Sequence, residues 1–274
     1  LISSSEKLLL TLETVYDLLT SIEKIGQVTD LELEESGSDF NLTSQKSGGI
    51  SIDISDVYFK YPNAIEYSLE GLGLSISANE KVALTGSSGA GKATLLKLMT
   101  SFFEPERGSI IYDGIPLKNY DINEMRSLIA ECISEDRIFD GTVLENLTVG
   151  KEINQDVLHE IIVNTGLVEF IQKLPSGYHT EIGPQGKRLP GSVAQKIILA
   201  RNLLKNPRLL IVEDIFKNIE KQEKINIFRY ILDKNKERTV IVVTKDTDII
   251  ALTERVIEMN EGKVSSNSKN NKKK

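Results

Sequence analysis

Residues 86–94 read Gly86-Ser87-Ser88-Gly89-Ala90-Gly91-Lys92-Ala93-Thr94, the spacing of the phosphate-binding loop G-x-x-x-x-G-K-[ST]. The apolar run Val82–Leu84 precedes this stretch, and the helix-like run Leu95–Met99 follows it. In such a strand–loop–helix unit, backbone N–H groups and the helix N-terminus bind an anion, and the lysine adds a full positive charge. We therefore expect all nine residues to bind nucleotide phosphates. The alternative is a glycine-rich turn without a ligand.

Composition narrows the class of protein. The chain has 274 residues, a net charge of −7 and a single cysteine, Cys132. The acidic balance argues against a nucleic-acid partner, and one cysteine excludes an intramolecular disulfide and fits a reducing compartment. No apolar run approaches the length of a membrane span, and no signal peptide is seen. Because the chain begins with Leu1 instead of Met, we expect it to be part of a longer polypeptide.

The N-terminal region predicts one amphipathic helix and then a linker. Leu8, Leu12, Val15, Leu19 and Ile22 recur at alternating spacings of four and three, which predicts a helix over about Ser5–Ile25 within residues 1–35. Its apolar stripe is expected to pack either on its own domain or on segments outside this sequence. Residues 36–49 are rich in Ser, Gly and Asn, and we interpret them as a linker.

Residues 50–264 predict an α/β fold. Ile50, Ile52 and Ile54 alternate, but Val57, Phe59 and Tyr61 alternate on the opposite parity, which requires a bulge near Ser55-Asp56. Further strands are expected at 72–76, 109–112, 129–133, 209–212 and 240–243, with helices at about 140–205 and 220–232. This order predicts a P-loop NTPase core with a mainly parallel sheet, an N-terminal antiparallel β subdomain and an inserted helical subdomain at 140–205. A hairpin over 256–264 and a polar, basic tail at 265–274 end the chain.

An ordered series of motifs resembles the nucleotide-binding domain of an ATP-binding cassette (ABC) transporter. Phe59-Lys60-Tyr61-Pro62 is similar to the segment with the adenine-stacking aromatic, and 136–146 resembles the segment after the Q-loop in exporters, especially those for type I secretion. Leu189-Pro190-Gly191-Ser192-Val193 stands at the signature position L-S-G-G-Q. Glu213-Asp214 stands at the end of the Walker B strand, and Lys245 stands at the switch histidine. The N-terminal helix resembles the cytoplasmic end of an exporter's last transmembrane helix.

The departures from the family pattern fall on reactive positions. The resemblance implies ATP held between one domain's P-loop and another's signature, with Mg²⁺ bound by the P-loop hydroxyl and a Walker B Asp. Here Ala93 has no hydroxyl, Ser134 (or Glu135) replaces the Q-loop glutamine, and Glu213 and Asp214 reverse the expected order. We expect Glu213 to be a weak Mg²⁺ ligand only. Asp214, Glu213 and Lys245 are the candidate catalytic residues. The alternative for Glu213 and Asp214 is a carboxylate pair that caps the strand end without catalysis. The alternative for Lys245 is an exposed lysine without a role in the site.

Binding is expected to survive better than hydrolysis. The loop N–H groups and Lys92 need no side chain at position 93, and Thr94 can still reach a phosphate oxygen. Ser192 and Gln195 form S-x-x-Q, which predicts a capping box at the start of the signature helix. Tyr61 is expected either to stack on adenine or to pack in the core with Phe59.

Three functions are consistent with these features. The first is the ATP-binding domain of an ABC exporter at the cytoplasmic face of the plasma (inner) membrane, impaired in hydrolysis. Its partners are then transmembrane domains of the same polypeptide and a second ATP-binding domain, which a heterodimer can supply. The second is a pseudo-ATPase scaffold, and the third is a non-transport ABC ATPase. The N-terminal helix and the exporter-like segment at 136–146 favour the first over the third.

Overall fold

The structure is a computed structural model that describes residues 2–30, 48–133, 136–183, 189–213, 216 and 219–270. The chain divides into two compact units, Leu1–Ser36 and Gly37–Lys274. Ser134, Glu135 and Asp214, which the sequence singles out, lie outside the described residues, as does most of the predicted linker.

The first unit contains one helix, α1 (Ile2–Thr29), which is longer at both ends than the predicted Ser5–Ile25. Its apolar stripe is exposed: Leu12, Val15, Leu19 and Ile22 each present about half of their surface or more to solvent. Within the described helices, none combines the length and apolar character that crossing a membrane requires.

The second unit contains two main sheets and the remaining helices. The strands are β1 (Ile52–Phe59), β2 (Leu69–Ile76), β3 (Lys81–Gly86), β4 (Arg107–Tyr112), β5 (Ile115–Pro116), β6 (Ile129–Cys132), β7 (Gly141–Thr142), β8 (Glu181–Ile182), β9 (Leu209–Glu213), β10 (Thr239–Val243), β11 (Arg255–Asn260) and β12 (Lys263–Lys269). The helices are α2 (Lys92–Met99), α3 (Ile122–Leu128), α4 (Val143–Thr148), α5 (Gln155–Asn164), α6 (Val168–Gln172), α7 (Gly191–Leu204), α8 (Lys221–Ile231) and α9 (Thr247–Ile250).

The larger sheet has the order β12-β11-β3-β10-β9-β6, and β11, β3, β10, β9 and β6 are parallel to their neighbours in that run. Its central strands β3, β10 and β9 are buried on both faces, and successive residues of β9 belong to different cores. Leu209 and Ile211 pack with α2, α3 and the antiparallel sheet, whereas Leu210 and Val212 pack with α4, α5, α7 and α8. The mainly parallel sheet and its covered faces confirm the predicted fold class.

The antiparallel sheet has the order β2-β1-β4-β5 and contains the predicted bulge. The register of β1 against β2 shifts between Ile54 and Val57, and Asp56 adopts a positive φ of 52°. Both Ile54 and Val57 are buried as a result. The bulge explains how residues of opposite parity share one core face.

Gly108 on β4 lies directly against this bulge. Its φ is +92°, and a Cβ built there would lie 2.3 Å from the carbonyl oxygen of Asp56. Gly114 has a similar φ of +85°, but a Cβ at that position meets nothing within 4 Å. A side chain at Gly108 would therefore meet both backbone strain and steric overlap, whereas a side chain at Gly114 would meet backbone strain alone.

We expect Gly108→Ala to lower the free energy of unfolding by about 2–5 kcal/mol, the sum of left-handed strain and overpacking. Gly114→Ala, the matched control, should cost only the strain of about 1–2 kcal/mol. Urea denaturation with an unchanged m-value measures both. Equal losses in the two variants would show that the bulge tolerates a side chain.

The C-terminal boundary predicted at 264 is wrong. Strand β12 continues to Lys269, and the Asn270 amide N–H donates to the carbonyl of Glu254 at 2.8 Å. Polar residues can form an edge strand when β11 supplies the hydrogen-bonding partner, which composition alone does not reveal. At the other end, Gly49 of the predicted linker is already buried in the domain, and its N–H donates to Asn79 at 2.6 Å.

Candidate nucleotide-binding site

The loop between β3 and α2 has the conformation that its glycines allow. Gly86 has a φ of 138°, and a Cβ there would lie 2.2 Å from the carbonyl oxygen of Met259 on β11. Gly262, in the β11–β12 turn, donates its N–H to the carbonyl of Ala90 at 3.2 Å. The hairpin that ends the sheet therefore fixes the loop from one side, while Ser87, Ser88 and Gly89 stay exposed.

Helix α2 begins without a side-chain cap. Gly91 is the N-cap in a left-handed conformation, and it has no side chain that could accept a hydrogen bond from the N–H groups of the first turn. The first N–H groups of a helix have no intrahelical acceptor and carry partial positive charge. Ala93 is exposed in this first turn, and its side chain offers no oxygen. The turn can thus donate backbone hydrogen bonds to an anion but supplies no hydroxyl at position 93.

The Lys92 ammonium points back over the loop. Its Nζ donates to the carbonyl oxygens of Gly86 at 3.0 Å and Ser87 at 2.7 Å. Burial lowers the pKa of Lys92, the charge of Lys245 lowers it further, and Glu213 opposes both effects. Lys245 and Glu213 therefore both act electrostatically on Lys92.

The sheet explains why these three residues meet. Strand β10 lies between β3 and β9, and Val243 is the register partner of both Leu84 and Glu213. Since all three strands are parallel, their carboxyl ends share one edge. The loop follows β3, Glu213 ends β9, and the exposed Lys245 follows β10 just after Thr244, whose N–H donates to Leu84 at 3.2 Å.

A cavity of about 230 Å³ opens beside α2, lined by Ala93, Lys97, Glu213 and Glu131 among others. Sequence reasoning missed Glu131. The available signal was a single acidic residue within the otherwise apolar strand β6, immediately before the expected Q-loop. Among the described residues, no three acidic, histidine or cysteine side chains lie close enough together to hold a metal ion.

Tyr61 contacts helix α2 through a hydrogen bond between two hydroxyl groups. Its hydroxyl lies 3.2 Å from the Thr94 hydroxyl, and its ring packs edge-on to Phe59 and Phe103 with centroids 5.2 and 5.5 Å away. These contacts are those of the core-packing alternative, and adenine stacking stays a prediction. The link between Tyr61 and Thr94 was not foreseen, because the two residues are distant in sequence.

The signature-like residues pack in a different hydrophobic core from helix α2, which follows the loop. Leu189 and Val193 pack with the helices of the inserted segment, whereas Leu95 and Leu96 of α2 belong to the other core. The predicted Ser192–Gln195 capping box is wrong: Pro190 is the N-cap of α7 and no side chain caps the helix. The Pro190 carbonyl accepts from Val193 at 2.9 Å, so Ser192 already lies in the first turn, after Gly191.

Arg201 of α7 holds the exporter-like segment in place. Its Nε donates to the Asn146 carbonyl at 2.7 Å, its Nη2 to Asn146 Oδ1 at 2.9 Å, and its Nη1 to the Arg137 carbonyl at 3.1 Å. The guanidinium also lies 5.2 Å from the centroid of the Phe139 ring. The sequence predicted the signature helix and the exporter-like segment at 136–146, but it did not predict the hydrogen bonds of Arg201 that join them.

Comparison with known proteins gives consistent matches. The family model described as ABC transporter matches residues 69–217, just over half of the chain. An ATP-dependent lipid A-core flippase of Chromobacterium violaceum is 35% identical over 219 residues, which cover 80% of this chain and 37% of that protein. Multidrug resistance protein homolog 65 of Drosophila melanogaster is 33% identical, over 78% of this chain and 16% of its own length.

A solved structure, that of a bacterial Atm1-family ABC exporter with ATP bound, superimposes with a TM-score of 0.83 at 24% identity. The match covers 94% of this chain and 45% of that one, and at this identity it supports the fold alone. The chain spans less than half the length of each of these relatives.

Proposed function

This chain belongs to the ABC transporter family, and on that premise we propose that it is the ATP-binding domain of an exporter and is impaired in hydrolysis. One observation carries the proposal. The β3–loop–α2 unit keeps the glycine geometry and the Lys92 ammonium, while the residues that face it at the sheet edge differ from the family pattern. Such a site would retain the groups that bind phosphate but would lack the residues that the family pattern uses for hydrolysis.

The P-loop would bind the ATP phosphates through backbone N–H groups of 86–94 and through Lys92, which exchanges its two carbonyl partners for phosphate oxygens. Tyr61 would contact the base from the core cluster that it shares with Phe59. These interactions need no hydroxyl at position 93. ATP is therefore the cofactor that the site would take.

Hydrolysis would be slow because water placement is most of what a protein contributes to phosphoryl transfer. Glu213 carries its carboxylate one methylene further than the expected Asp, and Asp214 falls one methylene short of the expected Glu. Lys245, when charged, accepts no proton and so does not replace a neutral histidine. A misplacement near 1 Å costs roughly 100-fold in rate.

The proposal places the domain at the cytoplasmic face of a membrane, with transmembrane domains of the same polypeptide and a second ATP-binding domain as partners. The exposed apolar stripe of α1 supports this placement, because an amphipathic helix requires a partner surface. The relatives' names as a flippase and a multidrug resistance protein agree with transport. The second candidate is a pseudo-ATPase scaffold, which is favoured by the presence of both Ala93 and Lys245 at positions where the family pattern has reactive residues. We regard a non-transport ABC ATPase as the least supported function.

We expect calorimetry to detect ATP binding to the chain, and Lys92→Gln to weaken it by about 10- to 100-fold, since hydrogen bonds to charged groups are worth about 1.5–3 kcal/mol. Lys173→Gln is the matched control: this exposed lysine pairs with Glu169 on α6 and should leave the affinity unchanged. If the folded wild-type chain shows no ATP binding, the proposed function is wrong.

A further inference from the structure

Lys245 occupies a position from which its charge acts on the loop. It follows the strand between β3 and β9, two residues after Val243, the register partner of Leu84 and Glu213. Its side chain is exposed. An ammonium group here lies at the shared carboxyl edge, on the side of the loop away from the β11–β12 hairpin, because the sheet order runs β11-β3-β10.

Two like charges therefore share this edge. The charge of Lys245 disfavours protonation of Lys92, and among the described residues Glu213 acts in the opposite direction. Like charges repel at close range, and a polyanion between them removes the repulsion and gains attraction to both. The phosphates of ATP are such a polyanion.

The same edge is poorly suited to Mg²⁺. Magnesium requires near-octahedral oxygen coordination at about 2.0–2.1 Å. Ala93 supplies no oxygen, and the described residues contain no group of three metal-binding side chains. Of the two carboxylates that line the neighbouring cavity, Glu213 lies within electrostatic reach of the Lys92 ammonium, and Lys97 lines the same cavity. Both ammonium groups would repel a second cation there. The described residues do not fit the metal that the family implies.

We propose that this site binds ATP without a metal ion, and that Lys245 supplies the positive charge on the phosphates that Mg²⁺ would otherwise supply. Lysine suits this role as a compact point charge with three donors. This inference rests on the proposed ATP binding and deepens it. Metal-free ATP is then the preferred ligand, and Lys245 determines that preference.

The test is calorimetry of ATP binding to the full chain, in excess EDTA and in excess Mg²⁺. We expect the wild-type chain to bind ATP in EDTA at least as tightly as in Mg²⁺. Lys245→Gln should weaken binding in EDTA by about 10-fold or more, as expected for loss of a charged hydrogen-bond donor. Lys245→Arg should keep most of the affinity, and Lys173→Gln should match the wild type.

The outcomes separate the two proposals. ATP binding that requires Mg²⁺ would overturn the metal-free site and leave the proposed function standing, whereas no binding in either condition would remove the proposed function itself. If Lys245→Gln binds in EDTA as tightly as the wild type, Lys245 does not supply the charge. If Glu213→Gln restores the affinity of Lys245→Gln, the lysine acts by neutralising Glu213, and direct contact with the phosphates is wrong.

Discussion

At saturating ATP, the purified chain is expected to release phosphate far below about 1 s⁻¹, the lower end of the usual enzyme range. The cause is cumulative. Ala93 lacks a hydroxyl, the side chains of Glu213 and Asp214 are one methylene longer and one shorter than the residues we expected there, and Lys245 stands where we expected a histidine. Each change disturbs the placement of groups around the transferred phosphate, where small displacements cost roughly 100-fold.

Restoring turnover should require several substitutions together. We expect Ala93→Ser alone to raise the rate by less than about 10-fold, because residues that act as a unit are strongly non-additive. Adding Glu213→Asp, Asp214→Glu and Lys245→His rebuilds one half of the site. The signature-like loop would also need substitution in a homodimer, with Pro190→Ser, Ser192→Gly and Val193→Gln. The complete set should raise turnover by about 100-fold or more, the scale of a single corrected displacement.

A steady-state phosphate-release assay measures these rates, and the Lys92→Gln version of each variant is the control for contaminating ATPases. Turnover near 1 s⁻¹ in the unmodified chain would show that the two carboxylates work in their reversed order. Fast hydrolysis after Ala93→Ser alone would show that the slow turnover is caused by the residue at position 93 alone.

Arg208→Met is expected to destabilise the domain by about 3–5 kcal/mol, the usual cost of removing one partner from a buried ion pair. Arg208 Nη2 lies 2.7 Å from the Asp113 carboxylate, and the two side chains are only 15% and 6% exposed. Arg208 also donates to the carbonyls of Gly48 and Gly49 at 2.7 and 3.2 Å. The substitution would therefore remove two hydrogen bonds to the start of the domain and leave a buried carboxylate without the Arg208 cation.

The matched control is Arg107→Met. Arg107 Nη2 lies 3.0 Å from Asp56, but these side chains are 71% and 54% exposed, and such pairs contribute about 0.2–1 kcal/mol. Chemical denaturation compares the two variants. Adding Asp113→Asn to Arg208→Met should recover part of the loss, because the uncompensated charge is removed. Similar losses for Arg107→Met and Arg208→Met would contradict the importance of burial.

The local pattern of the sequence predicted the bulge, the phosphate-binding loop and the main strands of this fold. The change of parity between Ile54 and Val57 predicted the bulge, because strand side chains alternate strictly and only an inserted residue can restore the core face. The glycine spacing from Gly86 to Gly91 predicted the loop, because those backbone angles exclude most other residues. Alternating strands and helices predicted the parallel sheet.

The sequence alone was less reliable where two local signals competed. Ser192 and Gln195 matched a capping box, yet Pro190, whose φ is fixed, is the N-cap, so the helix starts two residues earlier. The polar composition after residue 264 indicated a tail, yet strand β11 supplies partners for it as far as Lys269. In both cases a neighbouring backbone group satisfied the hydrogen bonds that the sequence pattern assigned elsewhere.

Only the tertiary structure decided which distant residues meet at the site. Lys92, Glu213 and Lys245 come together because β3, β10 and β9 are adjacent and parallel, and strand order is not encoded in any local pattern. The same holds for Tyr61 with Thr94 and for Arg201 with Asn146. Local periodicity fixes which residues form a strand or a helix, whereas the pairing of strands depends on long-range packing that a sequence read residue by residue does not contain.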